Sequence, residues 1–314
     1  MIHDDATGEP LIAGASPALE WVPCNLCGQD STIEMFHAQG FCLVRCSGCG
    51  LAYVNPRLPA SARGEVYDDD YIRGHTGGEE LDGDFVWTVE PTSWEATRVR
   101  YATRGIMKGR LLEVGCATGR FLSAVRQKGW EIWGVEFNRR AACVAAERLG
   151  CTVVVGGFEQ AQLPEGHFDV ICLFHVIEHM LDPFAAVRKI RALLRQNGRV
   201  LLECPDFGSG NARKLGPGWI MVQPKEHLYY FDECSLRKLL EGAGFRVEKV
   251  RRCGGLGALK GGTQSAVTER LKGKSFELRH RLAPTPWLRN LARSFFWGLL
   301  RQNDNILVVA SRCS

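Results

Sequence analysis

An apolar strand that runs directly into a glycine turn constrains the fold of this chain more than any other sequence feature. Residues 111–120 read LLEVGCATGR, so Gly115 and Gly119 follow the strand, with Cys116 and Ala117 between them. Glycines at such a turn let the backbone approach a ligand bound at the carboxyl end of a parallel sheet. The sequence therefore predicts an α/β domain with a ligand site at this turn.

From residue 110 onward the chain alternates strands and helices, which is the pattern of a parallel sheet covered on both faces. Strands are predicted at 110–114, 131–136, 152–155, 168–174, 199–204, 245–250 and 305–311. Helices are predicted at 93–107, 120–128, 139–149, 183–194 and 235–241, the last with Asp232 as its N-cap. The predicted fold is a Rossmann-like, doubly wound and mostly parallel sheet of seven strands.

The residues around the turn indicate a cationic nucleoside as the ligand rather than a dinucleotide. A dinucleotide fingerprint requires glycines where this chain has Ala117 and Arg120. Glu113 would repel a pyrophosphate but suits an ammonium or sulfonium group. The second strand ends at Glu136, whose carboxylate can accept both hydroxyls of a ribose. The alternative is that Glu113 and Glu136 are surface acids at strand ends.

Two Cys-x-x-Cys pairs define a module that precedes the sheet. The pairs are Cys24 with Cys27 and Cys46 with Cys49, with 18 residues between them and a glycine after each pair. Such pairs place four thiolates around one tetrahedral zinc ion at about 2.3 Å and leave no open position for water. We therefore expect a small structural zinc ribbon, with short strands at 32–37, 41–45 and 51–54. The other cysteines are dispersed, so a disulfide framework is not expected.

Residues 110–251 resemble a class I S-adenosylmethionine-dependent methyltransferase. The resemblance rests on EVGCATG at 113–119, Glu136, FDVI at 168–171, HVIEH at 175–179 followed by Asp-Pro, EHLYYF at 226–231 and AGF at 243–245. With its cysteine pairs, the chain is similar to zinc-ribbon-bearing methyltransferases associated with sugar and cell-surface polysaccharide modification. The resemblance implies that S-adenosylmethionine contacts Glu113, Gly115, Cys116, Ala117, Gly119, Glu136, Phe158, Glu159 and Phe174.

Three histidines are predicted at the carboxyl edge of the sheet: His175, His179 and His227. A hydroxyl acceptor benefits from a general base, and histidine is the usual choice near neutral pH. His227 is the first candidate for this base and His175 the second. The alternative for each histidine is a hydrogen bond to a backbone carbonyl with no part in catalysis.

A second, magnesium-like ion is an alternative role for this edge. The chain resembles ubiquinone-type O-methyltransferases, in which acids and a histidine of the matching motif are associated with a divalent ion. Only Glu178 and His179 match that motif here, because His175 replaces its first acid.

The predicted organisation has five parts. They are a mobile tail (1–22), the zinc ribbon (23–56), a linker with a cap helix (57–108), the methyltransferase domain (109–252 with 304–314) and an insertion (253–303). The insertion leaves the sheet at its carboxyl edge, so we expect it to act as a lid over the acceptor. Within it, residues 287–300 read as a basic amphipathic helix that packs on the domain or lies on an anionic membrane.

The charge distribution bears on the partner of the enzyme. The chain has 39 basic and 35 acidic residues, and Arg45 is the only basic residue within 24–55. A nucleic-acid-binding face needs several basic residues. We therefore expect a small-molecule acceptor, and the resemblance implies a hydroxyl of a sugar or glycosylated precursor such as a sugar nucleotide or lipid-linked sugar. An RNA-modifying enzyme guided by the ribbon and a non-catalytic cofactor-binding regulatory module are the alternatives.

The expected location is the cytoplasm. The first residues lack the basic and apolar regions of a secretion signal, and no apolar run reaches the roughly 18 residues that a membrane span needs.

Overall fold

The computed structural model describes residues 18–62, 93–253 and 304–313. The strands in these residues are β1 (Thr32–Ala38), β2 (Phe41–Cys46), β3 (Ala52–Val54), β4 (Arg110–Val114), β5 (Glu131–Glu136), β6 (Thr152–Val155), β7 (Phe168–Phe174), β8 (Leu194–Pro205), β9 (Tyr229–Tyr230), β10 (Phe245–Cys253) and β11 (Asn305–Arg312). The α-helices are α1 (Ser93–Thr103), α2 (Arg120–Arg126), α3 (Arg139–Leu149), α4 (Pro183–Leu193), α5 (Gly210–Leu215) and α6 (Glu233–Gly242). A short 3₁₀ helix, Ile177–His179, follows β7.

The main sheet has seven strands in the order β10-β11-β8-β7-β4-β5-β6. The five strands from β8 to β6 run parallel, and β11 lies antiparallel between β8 and β10. This confirms the predicted Rossmann-like, doubly wound sheet. Most element ends lie within a few residues of their predicted positions, but β8 is longer and begins at Leu194 rather than at 199.

Alternate residues of β4 face two separate hydrophobic cores. Leu112 and Val114 pack in the core that contains residues of α4 and α6, whereas Leu111 packs with residues of α1, α2 and α3. Strands buried on both faces read as nearly continuous apolar runs. This explains why the central strands β4 and β7 were predictable from the sequence.

The N-terminal module is a four-stranded antiparallel sheet in the order β1-β2-β3-β9. The sequence predicted its first three strands but not β9, which comes from the segment between β8 and α6. β3 pairs with β9 at Ala52 with Tyr230 and at Tyr53 with Tyr229. The predicted ribbon and the predicted methyltransferase domain therefore share one sheet.

The structure describes only part of the predicted tail and none of the residues 254–303. At the end of the predicted tail, the backbone N–H groups and carbonyls of Glu20 and Arg57 pair at 2.9 and 3.0 Å. The predicted lid and the amphipathic segment 287–300 lie outside the described residues. Within the described ranges, no helix is long and apolar enough to cross a membrane.

Close packing explains why a glycine stands at 119. Its φ is +87°, and a Cβ built there would lie 2.6 Å from Leu149 Cδ1 and 3.2 Å from Ala145 Cβ. Only glycine therefore lets the start of α2 approach α3 this closely.

We predict that Gly119→Ala destabilises the domain more than a glycine substitution at an open site. The strained backbone costs roughly 1–2 kcal/mol and the overlap with Leu149 about 1–3 kcal/mol more. Gly166→Ala is the matched control, because Gly166 also has a positive φ of +60° but no atom within 4 Å of an added Cβ. Urea unfolding of both variants measures the difference, and equal losses of unfolding free energy would contradict this packing argument.

Candidate active site

The turn after β4 and the acid at the end of β5 form one unit. The backbone N–H groups of Gly115 and Cys116 donate to Val135 O at 2.8 and 3.2 Å. Ala117 has a left-handed backbone with φ +46°, and its N–H donates to Glu136 Oε2 at 2.8 Å. The structure thus brings the predicted turn residues and Glu136 together at the carboxyl edge of the sheet.

Glu136 is buried and held in place by the backbone. Besides its bond from Ala117, its Oε1 accepts a hydrogen bond from the Asn138 N–H at 2.9 Å. Burial raises the pKa of Glu136, while these backbone bonds lower it. Because a carboxylate has about four acceptor positions, each oxygen can still accept from a ligand hydroxyl.

Glu113 is also buried, but its Oε2 has no hydrogen-bond partner among the described residues. Burial raises its pKa well above the usual value, while the charge of Arg98 lowers it and that of Glu136 raises it. A buried acceptor without a donor costs about 1–3 kcal/mol. A cationic ligand would supply that donor, and the alternative of two surface acids is wrong because Glu113 and Glu136 are both buried.

The predicted adenine contacts lie in a loop held by Lys189. Its Nζ donates to the carbonyls of Phe158, Glu159 and Ala161 at 2.7, 3.0 and 2.7 Å. The Phe158 ring is buried in the core and lies 5.0 Å from Lys189 Nζ, whereas Glu159 is exposed. The Phe158 side chain therefore packs in the hydrophobic core under this loop.

An ion pair that the sequence did not reveal lies next to Phe174. The Arg98 guanidinium donates two hydrogen bonds to Glu203, at 2.7 and 2.8 Å, and lies 4.5 Å from the Phe174 ring centroid. Glu203 is fully buried in β8. Its position in the apolar run LLEC is the signal that could have identified it, because a charged side chain is rarely buried without a partner.

His175 lies between two buried carboxylates at the end of β7. Its Nδ1 is 3.4 Å from Glu178 Oε1, and its Nε2 is 3.5 Å from Glu203 Oε1. Burial lowers the pKa of His175, but the two carboxylates outweigh burial and raise it to about 9. A histidine that is already protonated at neutral pH donates protons and does not act as a base.

His227 has the opposite environment. It is buried, and its Nδ1 lies 2.8 Å from Met221 O. A carbonyl only accepts, so this contact fixes the proton on Nδ1 and leaves Nε2 as an acceptor. Burial lowers the pKa of His227 more than the nearby charge of Glu178 raises it. Of the two predicted base candidates, His227 is thus the one whose environment favours a neutral imidazole.

Three groups of the predicted HVIEH and EHLYYF segments come together beside this histidine. One ligand atom each of Glu178, His179 and His227 lies within 4.8 Å of the others. The His179 and His227 rings meet edge to face with centroids 4.7 Å apart, and His179 Nδ1 lies 3.1 Å from Glu226 O. Glu178 is buried, and in the described part of the chain neither of its carboxylate oxygens has a hydrogen-bond partner.

The four predicted metal ligands also come together. The Sγ atoms of Cys24, Cys27, Cys46 and Cys49 lie within 4.8 Å of one another, and two pairs are 3.4 Å apart. Each turn is closed by a glycine N–H that donates to the first cysteine carbonyl, at 2.7 Å in one pair and 3.0 Å in the other. Four sulfurs around a zinc ion at about 2.3 Å would be separated by about 3.8 Å. The cysteines therefore fit a tetrahedral ion after small shifts.

Several known proteins share part of this sequence. A probable S-adenosylmethionine-dependent methyltransferase of Mycolicibacterium smegmatis is 27% identical over 183 residues, which cover 56% of this chain and 66% of that protein. A malonyl-[acyl-carrier protein] O-methyltransferase of Serratia marcescens is 26% identical over 123 residues, or 39% of this chain and 48% of that protein. A ubiquinone biosynthesis O-methyltransferase of Pseudomonas aeruginosa is 27% identical over 104 residues, or 31% and 45%. The chain thus spans about half to two thirds of the length of these relatives.

Solved structures show the same fold at low identity. An S-adenosylmethionine-dependent methyltransferase from Mesorhizobium loti matches with a TM-score of 0.50 and 15% identity, over 70% of this chain and 99% of that one. Phosphoethanolamine N-methyltransferase 2 of Haemonchus contortus matches with a TM-score of 0.52 and 14% identity, over 84% of this chain and 62% of that one.

A family model described as "Methyltransferase domain" matches residues 88–250, which include the turn after β4, Glu136 and all three histidines of the carboxyl edge. This match covers more than half of the sequence, so the chain belongs to the family of methyltransferase domains.

Proposed function

We propose that this protein transfers the methyl group of S-adenosylmethionine to a hydroxyl of a small molecule, with a sugar or glycosylated precursor as the acceptor. The observation that carries the cofactor assignment is the pair of buried carboxylates, Glu113 and Glu136, beside the glycine turn. When bound, S-adenosylmethionine supplies an activated methyl group on a positively charged sulfur. Glu113 lacks a protein donor for Oε2 among the described residues, and it suits the cationic end of this cofactor.

His227 is the proposed general base for the hydroxyl. Its Nε2 would take the hydroxyl proton as the acceptor oxygen bonds to the methyl carbon and the bond from that carbon to the sulfur breaks, with the demethylated cofactor as the leaving group. The Nδ1–H bond to Met221 O holds the imidazole in the required tautomer. His175 stays protonated between Glu178 and Glu203 and is assigned an electrostatic role at the end of β7. The two histidines therefore have different roles because different groups surround them.

The small-molecule acceptor is favoured by the ribbon and by the names of the relatives. One relative is named as a malonyl-[acyl-carrier protein] O-methyltransferase, and another as a ubiquinone biosynthesis O-methyltransferase. In the ribbon, the single basic side chain of residues 24–55 is occupied, since Arg45 Nη1 donates to Gly50 O at 2.9 Å and its guanidinium lies 6.0 Å from the Phe207 ring centroid. The sugar itself, as a sugar nucleotide or a lipid-linked sugar, rests on the family resemblance alone.

We also propose a structural zinc ion on the four cysteines, for which the spacing of the sulfurs is the support. A divalent ion on Glu178, His179 and His227 is the second candidate for the carboxyl edge, and the absence of hydrogen-bond partners on Glu178, within the described ranges, favours it. Metal analysis distinguishes the two arrangements, because the acid–base proposal needs one metal ion per chain and the alternative needs two.

The first prediction concerns the cofactor. The protein should bind S-adenosylmethionine and its demethylated product but not NAD, and Glu136→Gln should weaken binding about 10- to 100-fold by removing a charge-assisted acceptor of the ribose hydroxyls. Isothermal titration calorimetry measures both affinities. Glu131→Gln is the matched control, because Glu131 is an exposed acid at the other end of β5. Binding of NAD without any response to S-adenosylmethionine would refute the assignment.

The second prediction concerns the cysteines. One zinc ion should co-purify with each chain, and Cys27→Ser should reduce the zinc content while Cys143→Ser, an exposed cysteine outside the cluster, should not. Structural zinc contributes about 10–16 kcal/mol to the folding of isolated fingers, so a chelator should unfold the ribbon. Elemental analysis that finds no zinc in protein produced with ample metal would contradict the proposal.

The third prediction concerns the base. His227→Ala should lower turnover about 100- to 10,000-fold without changing cofactor affinity, whereas His37→Ala on exposed β1 should change neither. Because burial lowers the pKa of His227, wild-type turnover should fall as the pH drops through a pKa below the usual histidine value of 6.5. Turnover is followed as the mass gain of one methylene in cell-extract metabolites, and normal turnover by His227→Ala would remove His227 from this role.

A further inference from the structure

We propose that the N-terminal ribbon sheet, formed by β1, β2, β3 and β9, positions His227 for catalysis. This inference rests on the proposed role of His227 as the base. It assigns the cysteine module a task in the reaction, although no cysteine lies among the proposed catalytic groups.

The backbone next to His227 is fixed between the ribbon and the main sheet. The Leu228 carbonyl accepts a hydrogen bond from the Val54 N–H at 2.9 Å, and the Leu228 N–H donates to Glu178 O at 2.8 Å. The two residues that follow form β9 and pair with β3. The backbone next to His227 is thus held from one side by β3 and from the other by the loop after β7.

The segment that bonds to the imidazole contacts the ribbon separately. Its Nδ1 partner is Met221 O, and the next residue, Val222, accepts a hydrogen bond on its carbonyl from Gln39 Nε2 at 3.2 Å. Gln39 lies in the turn between β1 and β2. Val222 is buried in the hydrophobic cluster that contains the ribbon side chains Phe41 and Leu43. The ribbon therefore contacts the residue that follows His227 and the residue that follows the partner of its ring.

The second cysteine pair lies in the turn that leads from β2 into β3. Cys46 ends β2, its N–H donates to Leu51 O at 2.9 Å, and β3 begins at the next residue. β2 and β3 pair at only three positions, which is a short ladder for a strand that carries β9. A metal ion on the four sulfurs would close this turn and so fix the strand with which β9 pairs.

The ribbon is also anchored to the main domain away from β9. Lys238 Nζ on α6 donates to Cys49 O at 2.7 Å, and Asn25 Oδ1 accepts from the Phe184 N–H at the start of α4 at 3.0 Å. These contacts reach both cysteine turns. The ribbon therefore joins α4 and α6 to the His227 segment, whereas Glu113 and Glu136 lie on β4 and β5, which pair only with strands of the main sheet.

The experiment uses the full-length, zinc-loaded chain with isotopically labelled histidine, and His227→Gln identifies the His227 signals by NMR. Gln39→Ala removes one ribbon contact of the His227 segment without touching a cysteine or a proposed catalytic group. Ser31→Ala is the matched control, because Ser31 bonds to Ser47 within the ribbon. We expect Gln39→Ala to retain zinc, to bind the demethylated cofactor with wild-type affinity and to shift the His227 signals and their titration, whereas Ser31→Ala shifts neither.

The His227 NMR signals and the cofactor affinity are measured again after zinc is removed with a chelator. Counting the released thiols verifies the removal. The His227 signals should then resemble those of a solvent-exposed histidine, cofactor affinity should stay within about twofold, and kcat should fall about 10- to 100-fold with less effect on KM, as expected for a misplaced catalytic group. Unchanged His227 signals in the metal-free protein would overturn the inference. Parallel loss of cofactor binding would also overturn it, since the ribbon would then only support folding. Normal turnover by His227→Ala would instead refute the base itself, and the NMR result does not depend on that outcome.

Discussion

Burial of acids at the carboxyl edge of the sheet is the constraint on which the site depends, since each buried carboxylate needs a compensating group. Glu203 has the bidentate Arg98, Glu178 has His175, and Glu136 has two backbone N–H groups. Glu113 differs, because the charge of Arg98 reaches it but no described group donates to its Oε2. Glu113 is therefore the acid whose charged form the protein stabilises least at this edge, and a ligand with ammonium and sulfonium groups would supply the missing compensation.

The same acids separate the two histidines by protonation state. Glu178 and Glu203 lie 3.4 and 3.5 Å from His175 and raise its pKa to about 9. His227 lies deeper, has a backbone carbonyl as its Nδ1 partner, and has a lowered pKa because burial outweighs the more distant carboxylate. Sequence position alone could not distinguish these residues, since both are predicted at the same edge. The distinction comes from Glu178 and Glu203 together, and Glu203 lies in β8, far from both histidines in the sequence.

The sequence predicted most elements whose residues carry their own periodicity, and it missed the short helix α5 and the strand β9. β4, β5, β6 and β7 were predicted with their observed bounds, because each is a largely apolar run, and the runs of β4, β5 and β6 end in glycine or an acid. β9 has only two residues and exists because β3 pairs with it. The turn residues, Glu136, and the clustering of the cysteines followed from local motifs, whereas the pairing of Arg98 with Glu203 depends on where α1 packs and joins residues 105 positions apart.

The strand β9, which pairs with the ribbon strand β3, suggests a reason why a methyltransferase domain has a cysteine module. A module that recruits nucleic acid needs a free basic surface, but the single basic side chain of residues 24–55 is directed at Gly50 and Phe207. The edge of β3 is occupied by β9, and the cluster around Phe41 and Leu43 packs on the segment that holds the Nδ1 partner of His227. The ribbon thus contacts the segment that precedes His227 as well as α4 and α6 of its own domain. A zinc ion on the four cysteines would stabilise the turn that leads into β3 and, through β3, the two-residue strand β9.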